Sequence, residues 1–184
     1  MARIRQNIVL QGLSGLLGGQ LVIRKQHGGY CVAVAPPRVP RPSTPAQAAQ
    51  RDRFRRAAAY AKAAQGRPEY QAPAAERQVP AYVVALGDWL NAPKVLGIDV
   101  SGYDGGAGQR IAVTAVDDVQ VALVAVRIGD GAGAAVEEGT AVQSPADLRV
   151  WVYTTTTGAL ATPVRIRATA IDLAGQVGVR EVQG

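Results

Sequence analysis

The sequence contains only one histidine, His27, and only one cysteine, Cys31. A single histidine excludes a multi-histidine metal centre, and because His27 precedes two glycines it is expected in a turn rather than in a catalytic arrangement. A single cysteine excludes an intramolecular disulfide and a Cys-x-x-Cys metal or redox site, so Cys31 is expected to be a small buried residue. Aromatic residues are also few, with one phenylalanine and two tryptophans in 184 residues. The core is therefore predicted to be aliphatic.

Signatures of catalysis and of cofactor binding are missing as well. The glycine-rich stretches 12–18 and 102–108 lack the spacing of a dinucleotide-binding loop, and there is no Gly-Lys-Ser/Thr phosphate loop. Glu137 and Glu138 are adjacent, so on a strand they point to opposite faces and cannot act as an acid/base pair. No apolar run approaches the ~18 residues that a membrane span needs. We therefore predict a protein that is not an enzyme, binds no cofactor and does not span a membrane.

Aspartates are common at the ends of the predicted strands of the C-terminal half. If several gathered at one end of a sheet, their carboxylates would suit Ca²⁺, which takes hard oxygen ligands. The spacing is not that of an EF-hand, and aspartate is also frequent in turns because it bonds its own backbone. We therefore predict no metal ligand and leave calcium as the open alternative for these residues: Asp99, Asp104, Asp117, Asp118, Asp130 and Asp172.

Positive charge is concentrated in the first half of the chain. Residues 1–93 carry 13 Lys and Arg against 4 acidic residues, a net charge of +9, whereas residues 94–184 carry 7 against 10, a net charge of −3. A basic half favours an acidic partner such as nucleic acid, a lipid surface or the acidic half of another copy. The strongest cluster is the predicted basic helix face: Arg51, Arg53, Arg55 and Arg56. Such a face is usually solvated or paired within an assembly, and no nucleic-acid-binding motif accompanies it.

Composition divides the chain into four predicted segments. They are an N-terminal strand and hairpin arm (1–35), a proline-rich linker (36–44), a basic helical segment (45–93) and a β-sandwich (94–184). In the arm, strands over 20–25 and 30–35 are expected to meet at the glycine turn after His27. In the helical segment, helices are expected over 45–65 and 80–90. The first helix is predicted to pack through a face of small or apolar residues: Ala49, Phe54, Ala57, Ala58, Ala61 and Ala64.

After Lys94 the hydrophobic period changes to that of strands, with turn residues every eight to twelve positions. Seven strands are predicted, over 95–100, 110–116, 119–128, 134–138, 148–155, 164–171 and 176–182. Seven short strands in about 90 residues are typical of a sandwich. Trp151 is expected to fill its centre. The predicted fold class is α+β, a seven-stranded immunoglobulin-like β-sandwich preceded by a hairpin arm and two helices.

Two stretches resemble known kinds of protein. Ser14-Gly15-Leu16-Leu17-Gly18, followed by Ser43-Thr44-Pro45-Ala46-Gln47 and Arg51-Asp52-Arg53-Phe54, resembles uncharacterised proteins of Bacteroidetes and of phage-like structural genes. Residues 95–182 resemble bacterial immunoglobulin-like repeats, for which Ala170-Ile171-Asp172-Leu173-Ala174-Gly175 is typical of the last strands. Both resemblances imply a role in binding or assembly, and neither implies a catalytic residue.

The N-terminal arm is the predicted site of assembly. Its apolar residues are Leu10, Leu13, Leu16, Leu17, Leu21, Val22 and Ile23. An apolar arm on a stiff proline tether is an aggregation liability unless a partner buries it. We therefore predict a structural subunit of a virion, phage-derived particle or extracellular filament. It is expected to form a homo-oligomer or polymer and to contact other structural subunits.

Nucleic acid or another anion, bound by the Arg-rich helix, is the alternative partner. The apolar N-terminal run is similar to a signal peptide, but Gln6, Asn7 and Gln11 interrupt it. It is therefore interpreted as structure rather than as a cleaved signal. Synthesis in the cytoplasm is expected, and the final location stays open.

Overall fold

The chain is seen in a computed structural model that describes residues 2–4, 13–26, 29–36, 42–130, 134–158 and 164–183. It forms two compact units, Met1–Thr44 and Pro45–Gly184. Leu10, His27 and positions 37–41 of the proline-rich linker lie outside the described residues.

The N-terminal unit is a four-stranded antiparallel sheet with the strand order β1-β4-β3-β2. Its strands are β1 (Ala2–Ile4), β2 (Gly15–Leu17), β3 (Leu21–Gln26) and β4 (Gly29–Val34). The predicted hairpin is confirmed as β3 and β4, which pair with Ile23 opposite Val32. β2 turns into β3 through Gly18 and Gly19, whose φ angles of 57° and 72° fit a tight hairpin turn. As expected, Cys31 is buried.

Three helices open the second unit: α1 (Pro45–Ala64), α2 (Pro68–Arg77) and α3 (Ala81–Leu90). α1 and α3 confirm the two predicted helices. α2 was not predicted, because Pro73 lies inside it and proline removes a backbone donor from a helix. None of the helices in the described part of the chain is long and apolar enough to span a membrane.

The prediction of a packing face on α1 is confirmed for its second half and wrong for its first. Ala57, Ala61 and Ala64 are buried, whereas Ala49 is exposed and Phe54 is 50% exposed. The reason is length, since α1 has 20 residues and α3 only 10. The C-terminal end of α3 lies beside Arg53, which donates a hydrogen bond to the Leu90 carbonyl. The first turns of α1 therefore extend beyond the helix that covers the rest.

The rest of the unit is a β-sandwich of two four-stranded antiparallel sheets. Its strands are β5 (Lys94–Asp99), β6 (Arg110–Val116), β7 (Val121–Gly129), β8 (Ala135–Thr140), β9 (Val142–Gln143), β10 (Val150–Thr154), β11 (Arg165–Asp172) and β12 (Val177–Gln183). The strand orders are β5-β6-β10-β9 in one sheet and β12-β11-β7-β8 in the other. Seven of these strands correspond to predicted ones. The eighth, β9, has two residues, too few to produce a sequence pattern.

Side chains from both sheets form one aliphatic core. Ile111, Val113 and Ala115 of β6 are buried at alternate positions, as predicted from their spacing. Ile166, Ala168 and Ala170 of β11 do the same from the other sheet. Trp151 is 7% exposed and belongs to this core, so its predicted burial is confirmed.

The helices and the sandwich belong to one compact unit, although the sequence suggested separate segments. A second apolar cluster joins them. It contains Tyr70 of α2 and Val84 of α3, and Val119 and Leu173 from the loops of the sandwich pack against it. These contacts place the helical layer over one end of the two sheets.

Candidate functional site

Three aspartates meet where the helical layer covers the end of the sandwich. Asp88 lies in α3, Asp117 directly follows β6, and Asp172 is the last residue of β11. One carboxylate oxygen of each lies within 4.8 Å of the other two. Asp88 is fully buried and Asp172 is 3% exposed. We call these three residues the aspartate cluster.

Local turn geometry fixes two members of the cluster. Asp117 Oδ2 accepts hydrogen bonds from the backbone N–H groups of Val119 and Gln120, at 3.0 and 3.1 Å. Asp172 Oδ1 accepts a hydrogen bond of 2.7 Å from the Gln176 backbone N–H. Each aspartate therefore uses one oxygen to close its own turn, as aspartate commonly does. The second oxygen of each, Asp117 Oδ1 and Asp172 Oδ2, is buried without a hydrogen-bond partner.

Tyr70 holds the third member. Its hydroxyl donates a 2.6 Å hydrogen bond to Asp88 Oδ2. The Tyr60 hydroxyl lies 2.7 Å from that of Tyr70 and 3.0 Å from the Leu173 carbonyl, and its single proton can be donated to either oxygen. The other oxygen of Asp88, Oδ1, is buried and has no partner. In each carboxylate of the cluster, one oxygen therefore accepts a hydrogen bond and the other accepts none.

The electrostatics of the cluster disfavour three negative charges. Burial raises the pKa of Asp88 to about 7, and the hydrogen bond from Tyr70 opposes this rise. The charges of Asp117 and Asp172 and a side-chain hydrogen bond with Asp117 raise the pKa of Asp88 further. Burial also raises the pKa of Asp172, against the lowering effect of the Gln176 N–H. The ion pairs found among the described residues all lie elsewhere. The arrangement therefore concentrates negative charge and unused oxygen lone pairs without a basic side chain to balance them.

The structure brings together only two of the six aspartates that the sequence singled out, Asp117 and Asp172. The others act in turns or pairs: Asp99 accepts from Ser101 N–H, Asp104 from Gly106 N–H, Asp118 from the Asn91 side chain and Asp130 from Ala134 N–H. Sequence reasoning missed Asp88, which lies on a helix rather than at a strand end. The sequence feature that could have indicated Asp88 is an acidic residue within the apolar run of α3, close to the buried Val84 and Ala85.

The predicted assembly residues differ in their burial. Ile23 is 4% exposed and lies inside the N-terminal unit, and Val22 is half-buried. The four described leucines are exposed, by fractions of 38% to 54%: Leu13, Leu16, Leu17 and Leu21. The apolar surface of the arm is therefore not covered by the arm itself.

The four predicted basic residues are all exposed on α1 but do not share one face. Asp52 pairs with Arg55 at 3.1 Å and with Arg56 at 2.9 Å. Arg53 is two residues from Arg51 and from Arg55, which is about 200° around a helix. It is directed to the Leu90 carbonyl at the end of α3, at 2.7 Å.

No family model matches this sequence, and no curated protein does. Among solved structures, the chain is similar to CopC from Methylosinus trichosporium OB3b, with 15% sequence identity and a TM-score of 0.38. The similarity covers 50% of this chain and 89% of the CopC chain.

Proposed function

We propose that this protein is a non-catalytic structural subunit that associates with further copies of itself through its N-terminal sheet. The observation that carries the proposal is the exposure of Leu16 and Leu17, which lie on the edge strand β2 of that sheet. The assemblies that such a subunit would build are a virion, a phage-derived particle or an extracellular filament. We also propose that the sandwich is immunoglobulin-like. The order β5-β6-β10-β9 corresponds to strands A, B, E and D of such domains, and β12-β11-β7 corresponds to G, F and C, with β8 as one additional strand beside C.

The β2 edge has both features that strand addition requires. β2 pairs with β3 on one side and is the last strand of the sheet, so its outer backbone groups have no strand partner among the described residues. Leu16 lies opposite Val22 and Leu17 opposite Leu21, which places Leu16 and Leu17 on opposite faces. An exposed edge with apolar side chains on both faces favours pairing with another strand.

A second copy of the chain is the partner that fits this edge best. Most homo-oligomers are closed by a twofold axis, in which the same patch of each subunit meets itself. Two β2 edges related in this way would pair antiparallel and bury their leucines against each other. Because the N-terminal sheet is a compact unit of its own, such pairing requires no change in the sandwich.

The test is the oligomeric state of the full chain by sedimentation analysis. In Leu16→Asp/Leu17→Asp, charge replaces apolar surface at the β2 edge, and the oligomer is expected to dissociate to monomers. The matched control, Val142→Asp/Leu148→Asp, changes two exposed residues of the sandwich, 73% and 68% exposed, and should leave the oligomer intact. A wild-type protein that stays monomeric at high concentration overturns the proposal.

Anion binding by α1 is the second candidate function. It is supported by the exposure of the Arg55 and Arg56 side chains, 79% and 72%, and by the presence of only one acidic partner, Asp52, beside them. The separation of Arg53 from the other arginines weakens it. A phosphate backbone would therefore meet part of the predicted basic face rather than all of it.

A further inference from the structure

We propose that Asp88, Asp117 and Asp172 form a binding site for a divalent cation of the calcium type. The proposal is independent of the assembly proposed above, because the cluster lies within the second unit and uses no residue of the N-terminal sheet. It departs from the sequence-based expectation that the chain has no metal ligand.

The unused oxygens carry the inference. Asp88 Oδ1, Asp117 Oδ1 and Asp172 Oδ2 are all buried, and none of them has a hydrogen-bond donor when the three carboxyl groups are ionised. Buried polar atoms in folded proteins are almost always satisfied, so three unsatisfied carboxylate oxygens in one cluster require a cause. Burial of an unpaired carboxylate is costly, and neighbouring carboxylates repel each other. A bound cation removes both penalties at once.

The spacing of the oxygens fits one ion. Ca²⁺ is held by oxygen ligands at about 2.3–2.6 Å, so two of its ligands can be at most about 5 Å apart. One carboxylate oxygen of each aspartate lies within 4.8 Å of the others, which satisfies that limit. A set made only of carboxylate oxygens suits a hard cation, whereas zinc and copper favour nitrogen and sulfur ligands. Mg²⁺ requires shorter and more regular coordination, so calcium is the better match.

Hydrogen bonds fix the three carboxylates in place before a cation binds. Asp117 and Asp172 are each held by their own turns, and Asp88 is held by Tyr70. Since one oxygen of each is already engaged, the remaining oxygen keeps its position without a metal. Hydrogen bonds of this kind are the usual outer support of a metal site.

The proposed ion would join three parts of the second unit. Asp88 comes from the helical layer, Asp117 from the sheet that contains β6, and Asp172 from the sheet that contains β11. Binding to the folded chain but not to the unfolded chain stabilises the fold by mass action. Calcium would therefore act as a clamp between the helices and the two sheets.

The experiment uses the full chain, freed of metal with EDTA and melted at pH 8 with increasing CaCl₂. The pH is chosen because carboxylates bind a cation in their ionised form. Calcium is expected to raise the melting temperature in a saturable way, by roughly 5 °C at concentrations well above the dissociation constant. MgCl₂ should give a smaller shift.

Two variants locate the effect. Asp88→Asn and Asp172→Asn keep the shape of the side chain and remove one charge, so the calcium shift should be lost in both. Because each variant relieves repulsion among carboxylates, the metal-free variants should melt at or above the temperature of the metal-free wild type. Asp99→Asn is the control, since Asp99 closes a turn around Ser101 and should leave the calcium shift unchanged.

A second readout does not depend on stability. Terbium replaces calcium in oxygen sites and emits when a nearby tyrosine is excited, and the Tyr70 hydroxyl lies 2.6 Å from Asp88 Oδ2. Saturable terbium emission that CaCl₂ reverses, and that Tyr70→Phe weakens, is the expected result. The absence of a calcium shift and of terbium emission in folded wild type would overturn the proposal, and the cluster would then be held by shared protons. A calcium shift that survives both Asp88→Asn and Asp172→Asn would also overturn it.

Discussion

Gly178 of β12 lies directly against the backbone carbonyl of Pro93, so closely that a Cβ at position 178 would overlap the carbonyl oxygen. Pro93 is the residue between the helical layer and β5, and it is buried. This contact fixes the point at which the chain passes from the helices into the sandwich. A side chain at position 178 must displace backbone rather than the end of a flexible side chain.

The variant Gly178→Ala is therefore expected to destabilise the fold. Overpacking a tight contact costs about 1–3 kcal/mol, and the upper part of that range is expected because the obstacle is main chain. Gly97→Ala is the matched control, since a Cβ there meets nothing within 4 Å, and its effect should stay within about 0.5 kcal/mol. Urea unfolding followed by tryptophan fluorescence measures both. Equal stabilities for the two variants would contradict the close approach.

A second prediction concerns the buried carboxylate of Glu137. Burial alone would raise its pKa, but hydrogen bonds from the Tyr153 hydroxyl and from Thr156 and Thr157 outweigh burial, so the pKa of Glu137 is lowered. The hydroxyl of Tyr153 lies 2.6 Å from Oε1, and the Thr157 N–H lies 3.1 Å from Oε2. A pKa that is lower in the folded chain than in the unfolded chain means that ionised Glu137 stabilises the fold.

That stabilisation is complete above the unfolded pKa, about 4.3 for glutamate, and is lost as the pH falls through the lower folded pKa. Glu137→Gln should therefore reduce the free energy of unfolding at pH 7 by about 1.5–3 kcal/mol, the range for hydrogen bonds to a charged group. The difference from wild type should shrink as the pH falls below about 4. Glu138→Gln is the control, because Glu138 is adjacent but exposed. Urea titrations at several pH values provide the measurement, and a difference that does not vary with pH would be the contrary outcome.

The helices and strands that could be predicted from the sequence are those in which apolar residues recur at regular intervals over the whole element. β6 was predicted over 110–116 and occupies Arg110–Val116, because Ile111, Val113 and Ala115 alternate without interruption. α2 was missed because Pro73 breaks the local helical signal, although tertiary packing of the buried Tyr70 and Ala74 maintains the helix. The aspartate cluster could not be predicted, because its members are separated by 29 and 55 positions in the sequence and meet only in the folded chain.

The apolar residues of the N-terminal arm were predicted from the sequence. The sequence does not show which of them are buried within the arm and which are exposed. The structure separates Ile23, which is buried, from Leu16 and Leu17, which are not. Ile23 belongs to β3, an inner strand of the sheet, whereas Leu16 and Leu17 belong to the edge strand β2.

A third prediction tests anion binding by α1. Arg51→Gln/Arg55→Gln/Arg56→Gln removes the arginines that lie away from α3, and it should weaken retention on immobilised DNA and flatten its dependence on salt, because each phosphate contact releases counterions. Arg165→Gln/Arg167→Gln/Arg180→Gln is the control with the same change of charge on the sandwich. Equal losses in both triple variants would indicate an effect of net charge alone. If wild-type protein is not retained even at low salt, this function is excluded.

The last prediction separates the two units. The N-terminal unit ends at Thr44 and α1 begins at Pro45, so deletion of residues 1–42 removes the sheet and leaves the start of α1 intact. Among the described residues, the core of the sandwich and the cluster around Tyr70 contain none from the N-terminal unit. The truncated chain is therefore expected to melt cooperatively within a few degrees of the full chain and to be monomeric. Light scattering and thermal melts on both proteins give the two quantities. If the truncated chain melts at a much lower temperature with an unchanged oligomeric state, the leucines of the arm are buried within their own chain. If it keeps both its melting temperature and its oligomeric state, the assembly surface lies on the second unit.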